Sequence, residues 1–272
     1  MRSAKVDASW NLYLEVTDPY LSLFDITLFF CNICHVIRKQ KLSGSISKIS
    51  IHPNTVWTYL ERLKFPESLS QVIWLDLSDQ VSPRYNPNLI EISVYNSDDG
   101  FNSHIPQIKW ALSNHWIWEQ TVLTIISLLW ELVNNVFEHN LWKRSELWPV
   151  MWLTMHKYEW KLRIIVFDFW VWLSKTLEAN YPWHTEDEYI KMAFEEGISW
   201  RERNPRQSDW SLQWWMWLTI LKEYVIDRFW WRIDIVSNGL YMRLNNNHEF
   251  DIIKNFDNIE WVIVQFTIPE NS

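Results

Sequence analysis

Residues 161–175 read "KLRIIVFDFWVWLSK". The apolar run Leu162–Phe167 has the length and residue types of a buried strand, and it stops on Asp168. Trp170 and Trp172 follow at alternate positions. A strand that ends on a carboxylate and then sets down two indoles leaves little room for a ligand or a turn. How those two residues are read decides how the rest of the chain is read.

The chain has 272 residues, 48% hydrophobic and 21% charged, the balance of a globular protein. A net charge of −8 provides no basic footprint, so nucleic acid is not an expected partner. The opening "MRSAKVDASWNLYLEV" has no apolar core of a signal peptide, and a cytoplasmic location is expected. The most lipid-like stretch, "YLSLFDITLFFCNICHVI", contains Asp25 and runs into "RKQK". It reads as a buried helix, and no membrane association is expected.

Two counts stand apart, 22 Trp and 4 Gly. Glycine ordinarily makes up about 7% of residues, and turns with positive φ depend on it. Taken together, the two residue types make about a tenth of the chain, close to an ordinary glycine share. Many tryptophans also fall where the chain must turn. Trp160 in "HKYEWKLRIIVFD" separates two strand-like runs, and Trp10 in "DASWNLYLEV" sits at an expected hairpin tip. Trp230 and Trp231 in "DRFWWRIDIVSNG" occupy a helix exit, and Trp183 in "NYPWHTE" follows Pro in a loop. A side chain in the left-handed region costs about 1–2 kcal/mol.

A Trp-rich platform for sugars or a membrane interface would gather its indoles on one face, whereas these are spread along the whole chain. The reading adopted is a decoding one. Some bacterial lineages use UGA for glycine, and another genetic code reads the same codon as tryptophan. The opening stretch then becomes "DFGVGLSK", and "SDWSLQWWMWLTILKEYV" becomes "SDGSLQGGMGLTILKEYV".

With "SLLWELVNNVFEHN" upstream and "VIVQFTIP" closing the chain, these pieces resemble, over about residues 112–269, the ATP-binding domain of the GHKL superfamily. That superfamily includes gyrase, the ninety-kilodalton heat-shock chaperone, histidine kinases, MutL and anti-sigma-factor kinases. The resemblance implies a two-layer α/β sandwich with a mixed, mainly antiparallel sheet, an α+β fold.

The first motif also has a physical reading of its own. In "TVLTIISLLWELVNNVFEHN", Val122, Ile125, Ile126, Leu129, Val133 and Val136 recur at helical spacing, and Glu131, Asn135 and His139 share the opposite face. Alone, that is the polar face of any amphipathic helix. The resemblance implies that Asn135 binds Mg²⁺ with Glu131 nearby. It implies too that Glu131 orients or activates water as the catalytic residue, and that Asn134 and His139 belong to the nucleotide site. Mg²⁺ suits such a pair because it takes oxygen ligands and keeps part of its water.

For the second motif, the resemblance implies that Asp168 accepts the adenine amino group, with Trp170, Trp172 and Leu173 following along the base. Glycine at positions 170 and 172 lets backbone approach a purine. Two indoles, each burying about 150–250 Å², would fill that space instead. The third motif, Trp214, Trp215, Met216, Trp217 and Leu218, becomes a glycine-rich loop entering a helix with Leu218, Leu221 and Val225 on one face. Such a loop can cradle phosphate and close over it.

"AFEEGISWRERN", with Gly197, and "WRIDIVSNG", with Gly239, resemble segments of stand-alone signalling ATPases. One departure is Val262, where many members carry a Thr near adenine.

The front of the chain reads as an α/β module over residues 1–108, ahead of the ATP-binding domain at 109–272. Strands are expected at Asn11–Val16, Ile46–Ile51, Gln71–Leu77 and Leu89–Tyr95, and helices at Leu21–Lys39 and Asn54–Leu63. "HPNTVWTYLERLKF" and its preceding strand look like the STAS-like region paired with some bacterial ATPases. "NSDDGFNSH", residues 96–104, reads as a linker. "CNICH", Cys31 to His35, matches a haem-attachment pattern, but it lies in an apolar helical stretch and no export signal accompanies it.

The function expected is that of an ATP-binding signalling protein. It would transfer a phosphoryl group to Ser or His of a regulatory partner, with ATP and Mg²⁺ as cofactors, and a homodimer is compatible with the family. The competing class is a nucleotide-switched binding module without turnover.

Overall fold

The computed structural model describes residues 3–6, 11–15, 22, 24–28, 30, 33, 48–52, 60–65, 67–69, 89–95, 97–114, 117–140, 151–158, 161–168, 177–178, 181–195, 216–229, 231–256 and 262–269. The chain divides into two compact units. One comprises Met1–Val94 with Leu153–His156, the other Tyr95–Trp152 with Lys157–Ser272.

In the first unit, β1 (Ser3–Val6) and β2 (Asn11–Glu15) pair antiparallel from Ser3↔Glu15 to Val6↔Leu12, and Trp10, the expected hairpin tip, lies outside the described residues. Strand β3 (Lys48–His52) lies parallel to β2, from Asn11↔Lys48 to Glu15↔His52. A parallel neighbour requires a crossover, and the described part of that crossover is helical at 24–28. Ser22 starts the helix. Its backbone N–H and hydroxyl both donate to Asp25 Oδ2, at 3.0 and 2.5 Å, while Asp25 N–H donates to Ser22 Oγ at 3.2 Å. Ile26, Phe30, Leu60 and Phe65 are fully buried, and the Phe30 and Phe65 rings meet edge to face at 5.4 Å. Strand β4 (Leu89–Tyr95) falls where the sequence places it, and Gln71–Leu77 lies outside the described residues.

The second unit opens with α1 (Asp98–Ser113). The polar stretch expected as a linker is therefore the start of this helix. Ser97 is its N-cap and accepts from Gly100 N–H at 3.1 Å. Next come α2 (Glu119–Asn140), β5 (Met151–Tyr158, whose residues Leu153–His156 belong to the first unit), β6 (Lys161–Asp168), α3 (Glu186–Met192) and α4 (Met216–Lys222). Helix α4 continues as a π-helical segment, Glu223–Arg228. Strands β7 (Ile233–Ser237), β8 (Leu240–Leu244), β9 (Phe250–Asn255) and β10 (Val262–Pro269) complete the chain.

Strands β6–β10–β7–β8–β9, in that order, form an antiparallel sheet. Helices α1 and α4 pack on α2, α3 touches β8, and the π-helical segment touches β10, so the unit is α+β. The turn between β7 and β8 is Asn238–Gly239, at φ 46° and 80°. Both residues take positive φ, as a two-residue hairpin turn requires.

Sheet register builds a polar cluster that no local pattern announces. Asp234 on β7 stands between Arg243 on β8 and Gln265 on β10. It is 1% exposed and accepts from Arg243 Nε at 2.7 Å, Tyr241 Oη at 2.9 Å and Gln265 Nε2 at 3.1 Å. Burial, followed by the Asp234 charge, pushes the Tyr241 hydroxyl up to about 12.

No helix among the described residues is long and apolar enough to cross a membrane.

Candidate functional site

Helix α2 buries Val122, Ile125, Leu129 and Val133 on the face that the apolar spacing marks, together with Leu128 and Leu132. Its other side carries Gln120, Thr124, Ser127 and Glu131 at helical spacing. These four, with Trp118, Glu119, Leu123 and Leu128, form one wall of a cleft of about 730 Å³, and Ile220 of α4 and Tyr224 of the π-helical segment form the facing wall. Glu131 is half-buried there, and burial raises its carboxyl above the ordinary value of 4.5. Of the residues expected to act, Glu131 thus lies in a cleft between α2 and the helix that follows the third motif.

Asn134, Asn135 and His139 continue α2 toward its C-terminus, with Asn135 one turn beyond Glu131, and their side chains lie outside the described residues. Asp168 is the last residue of β6, and its Cα partner is Val262, the first residue of β10. The departure noted in the sequence therefore stands directly across from the expected adenine carboxylate. The Asp168 side chain lies outside the described residues, as do Trp170, Trp172, Leu173, Trp214 and Trp215 altogether. Met216 and Trp217 open α4 with backbone alone described. Leu218 is fully buried beside Leu221 and Val225, so its side chain serves the core.

The pairing of Glu131 with the amide position one turn on suits a hydrated Mg²⁺, since one carboxylate and one amide oxygen leave places for water and phosphate. Among the described residues no three of His, Cys, Asp and Glu gather as a metal cluster.

The described tryptophans behave unlike core residues. Among the described residues no Trp is a buried hydrophobic side chain, and Trp110, Trp118, Trp130 and Trp183 are exposed by 54%, 72%, 41% and 96%. Trp183 has φ 75° directly after Pro182. Proline followed by positive φ is the order of a type II turn, whose third position calls for glycine. Trp118 occupies the N-cap of α2, its carbonyl accepting from Val122 N–H at 3.0 Å. That is a place where glycine ranks far above large apolar residues. Trp231 N–H bonds the Val225 carbonyl at 3.0 Å across the end of the π-helical segment. Trp230 directly follows the C-cap Phe229, the position where helices usually put glycine.

Sequence reasoning passes over Ile220, Tyr224 and the stripe Gln120–Thr124–Ser127. The stripe's spacing was visible, but only the second wall makes a cleft of it. Compared with known proteins, the chain matches no protein-family model and no curated protein.

Proposed function

We propose that this chain is an ATP-binding signalling protein of the GHKL type, whose motif tryptophans are glycines in the working protein. It transfers the γ-phosphoryl group of ATP to a regulatory protein. The observation that carries the reading is Glu131, half-buried in a cleft between α2 and the helix entered from "QWWMW". A carboxylate with a raised pKa beside a glycine-rich helix entry suits proton transfer at a transferring phosphate.

Further support comes from the chain path. Asp168 ends β6 opposite the start of β10, so the two segments that would flank a base are neighbours. The positive φ of Trp183 supports glycine as the working residue at that position. In this reading Asn135 would hold Mg²⁺ with Glu131 nearby, and the ion would neutralise phosphate charge. Asp168 fixes the base, and the backbone of residues 214–218 meets the phosphates.

The test is incubation of the chain, made with glycine at all 22 positions, with γ-labelled ATP and Mg²⁺, and detection of labelled protein or phosphate. Turnover is expected, and Glu131→Gln should lower it about 10²–10⁴-fold while nucleotide binding persists. Binding without any turnover would refute the transfer step. Absence of binding would refute the whole reading.

A further inference from the structure

Polar atoms shut away without a hydrogen-bond partner are costly, and each asks what would satisfy it. Among the described residues Glu67 Oε2, Arg232 Nε, Gln265 Oε1 and Thr267 Oγ1 are in that position. The last three stand together on the sheet of the second unit. Thr267 on β10 is paired with Arg163 on β6. On its other side the pairing of Phe266 with Ile233, carried one residue further, sets Arg232 opposite Thr267. Side chains alternate between faces along a strand, so Arg163, Thr267 and Arg232 share one face, while Leu162, Ile164 and Phe266 take the other. Adjacent strands lie about 4.8 Å apart, which puts the two arginine Cα atoms about 10 Å from each other with the threonine between them.

Thr267 is 2% exposed and Gln265 4%, whereas Arg232 keeps 43% of its side chain in solvent. Gln265, two residues before Thr267 on the same face, gives its amide N–H to Asp234 Oδ2 at 3.1 Å, so its carbonyl is the atom left over. Arg232 Nε stands 3.3 Å from the same carboxylate oxygen without the alignment of a hydrogen bond. Arg163 forms no ion pair or hydrogen bond with a described residue. Around them the face carries Lys161, Arg243 and Lys254 against Asp234 and Asp251. Its described charge is therefore positive, in a chain whose net charge is −8.

We infer that this face holds a free hydrogen phosphate ion between Arg163 and Arg232, above Thr267. Two guanidiniums match the ion's oxygens with paired N–H donors, and the Thr267 hydroxyl donates from beneath. Gln265 Oε1 only accepts, so an ion that satisfies both atoms brings a proton as well as bare oxygens. Hydrogen phosphate does so, and sulfate at neutral pH does not. Thr267 Oγ1 and Gln265 Oε1 are closed to solvent. The arginine tips, free to turn about several bonds, part to admit the ion and close over it. Such an enclosure leaves no passage for the chain of a phosphorylated protein, so the free ion is the form that fits. The site shares no residue with the proposed nucleotide site, and none of its residues is a tryptophan.

The test is calorimetric titration of the full-length chain, without nucleotide, at neutral pH and constant ionic strength. The titrants are inorganic phosphate, sulfate and O-phosphoserine. Phosphate should bind saturably, and the other two at least about tenfold more weakly. Arg163→Gln should weaken phosphate about tenfold or more. Lys254→Gln removes a charge that lies over the Phe256 ring on the same face, and it should leave phosphate binding unchanged. Thr267→Val removes the unpartnered hydroxyl, so it should melt higher than the parent in phosphate-free buffer and lose that advantage in saturating phosphate. Circular dichroism verifies that the variants fold. Absence of saturable phosphate binding, equal affinity for sulfate or O-phosphoserine, or equal losses from Arg163→Gln and Lys254→Gln would overturn the site. So would a Thr267→Val advantage that phosphate leaves untouched.

Discussion

At residue 183 an indole, 96% exposed, holds φ at 75° and packs on almost nothing. Left-handed backbone costs a side-chain-bearing residue about 1–2 kcal/mol, and glycine avoids that cost. Trp183→Gly in the chain as written should therefore stabilise it by about 1 kcal/mol. The measurement is a denaturant midpoint that rises at unchanged slope; a fall would mean that the indole belongs there. Glu131 gives a second residue-scale prediction. Its folded pKa is raised, so its contribution is fully present below the ordinary value of 4.5 and is lost as pH rises through the folded value. Glu131→Gln should accordingly melt higher than the parent at neutral pH, with the gap closing as pH falls below about 4.5. Thermal melts across that window check the sign, and a gap that widens on acidification would contradict it.

At the scale of elements, legibility followed the kind of information each element needs. Helix α2 was readable because Val122, Ile125, Leu129 and Val133 repeat with its period, and all four are buried. The start of α1 was misread for a chemical reason: Ser97, Asp98 and Asp99 are the same residue types that make turns, and here Ser97 caps. The π winding of Glu223–Arg228 left no mark in the spacing of Leu218, Leu221 and Val225. Asp234 was missed because its partners, Arg243 and Gln265, meet it only through strand register. Asp234→Ala would leave Arg243 Nε and the Gln265 amide N–H without this acceptor. It should cost about 3 kcal/mol, less than a fully buried pair because Arg243 is partly exposed. Chemical denaturation reads the loss, and a change within about 0.5 kcal/mol, the range of an ordinary surface substitution, would show that the cluster is peripheral.

At the scale of the whole molecule, the chain as written forms a five-stranded antiparallel sheet with helices, and the apolar period of α2 and β6 resides in residues other than tryptophan. Among the described tryptophans, Trp183 and Trp118 stand at a turn and at a helix N-terminus. Glu131 with its cleft, and the opposition of Asp168 and Val262, lie within the described residues, and residues 169–176 and 196–215 do not. The sequence offered three motifs in order, whereas the cleft beside Glu131 required two helices to be set side by side. The decisive measurement is calorimetric titration of Mg-ATP into two full-length chains, one as written and one with glycine at all 22 tryptophan positions. The account expects saturable binding to the glycine chain alone. Micromolar binding by the tryptophan chain, or none by the glycine chain, would contradict it.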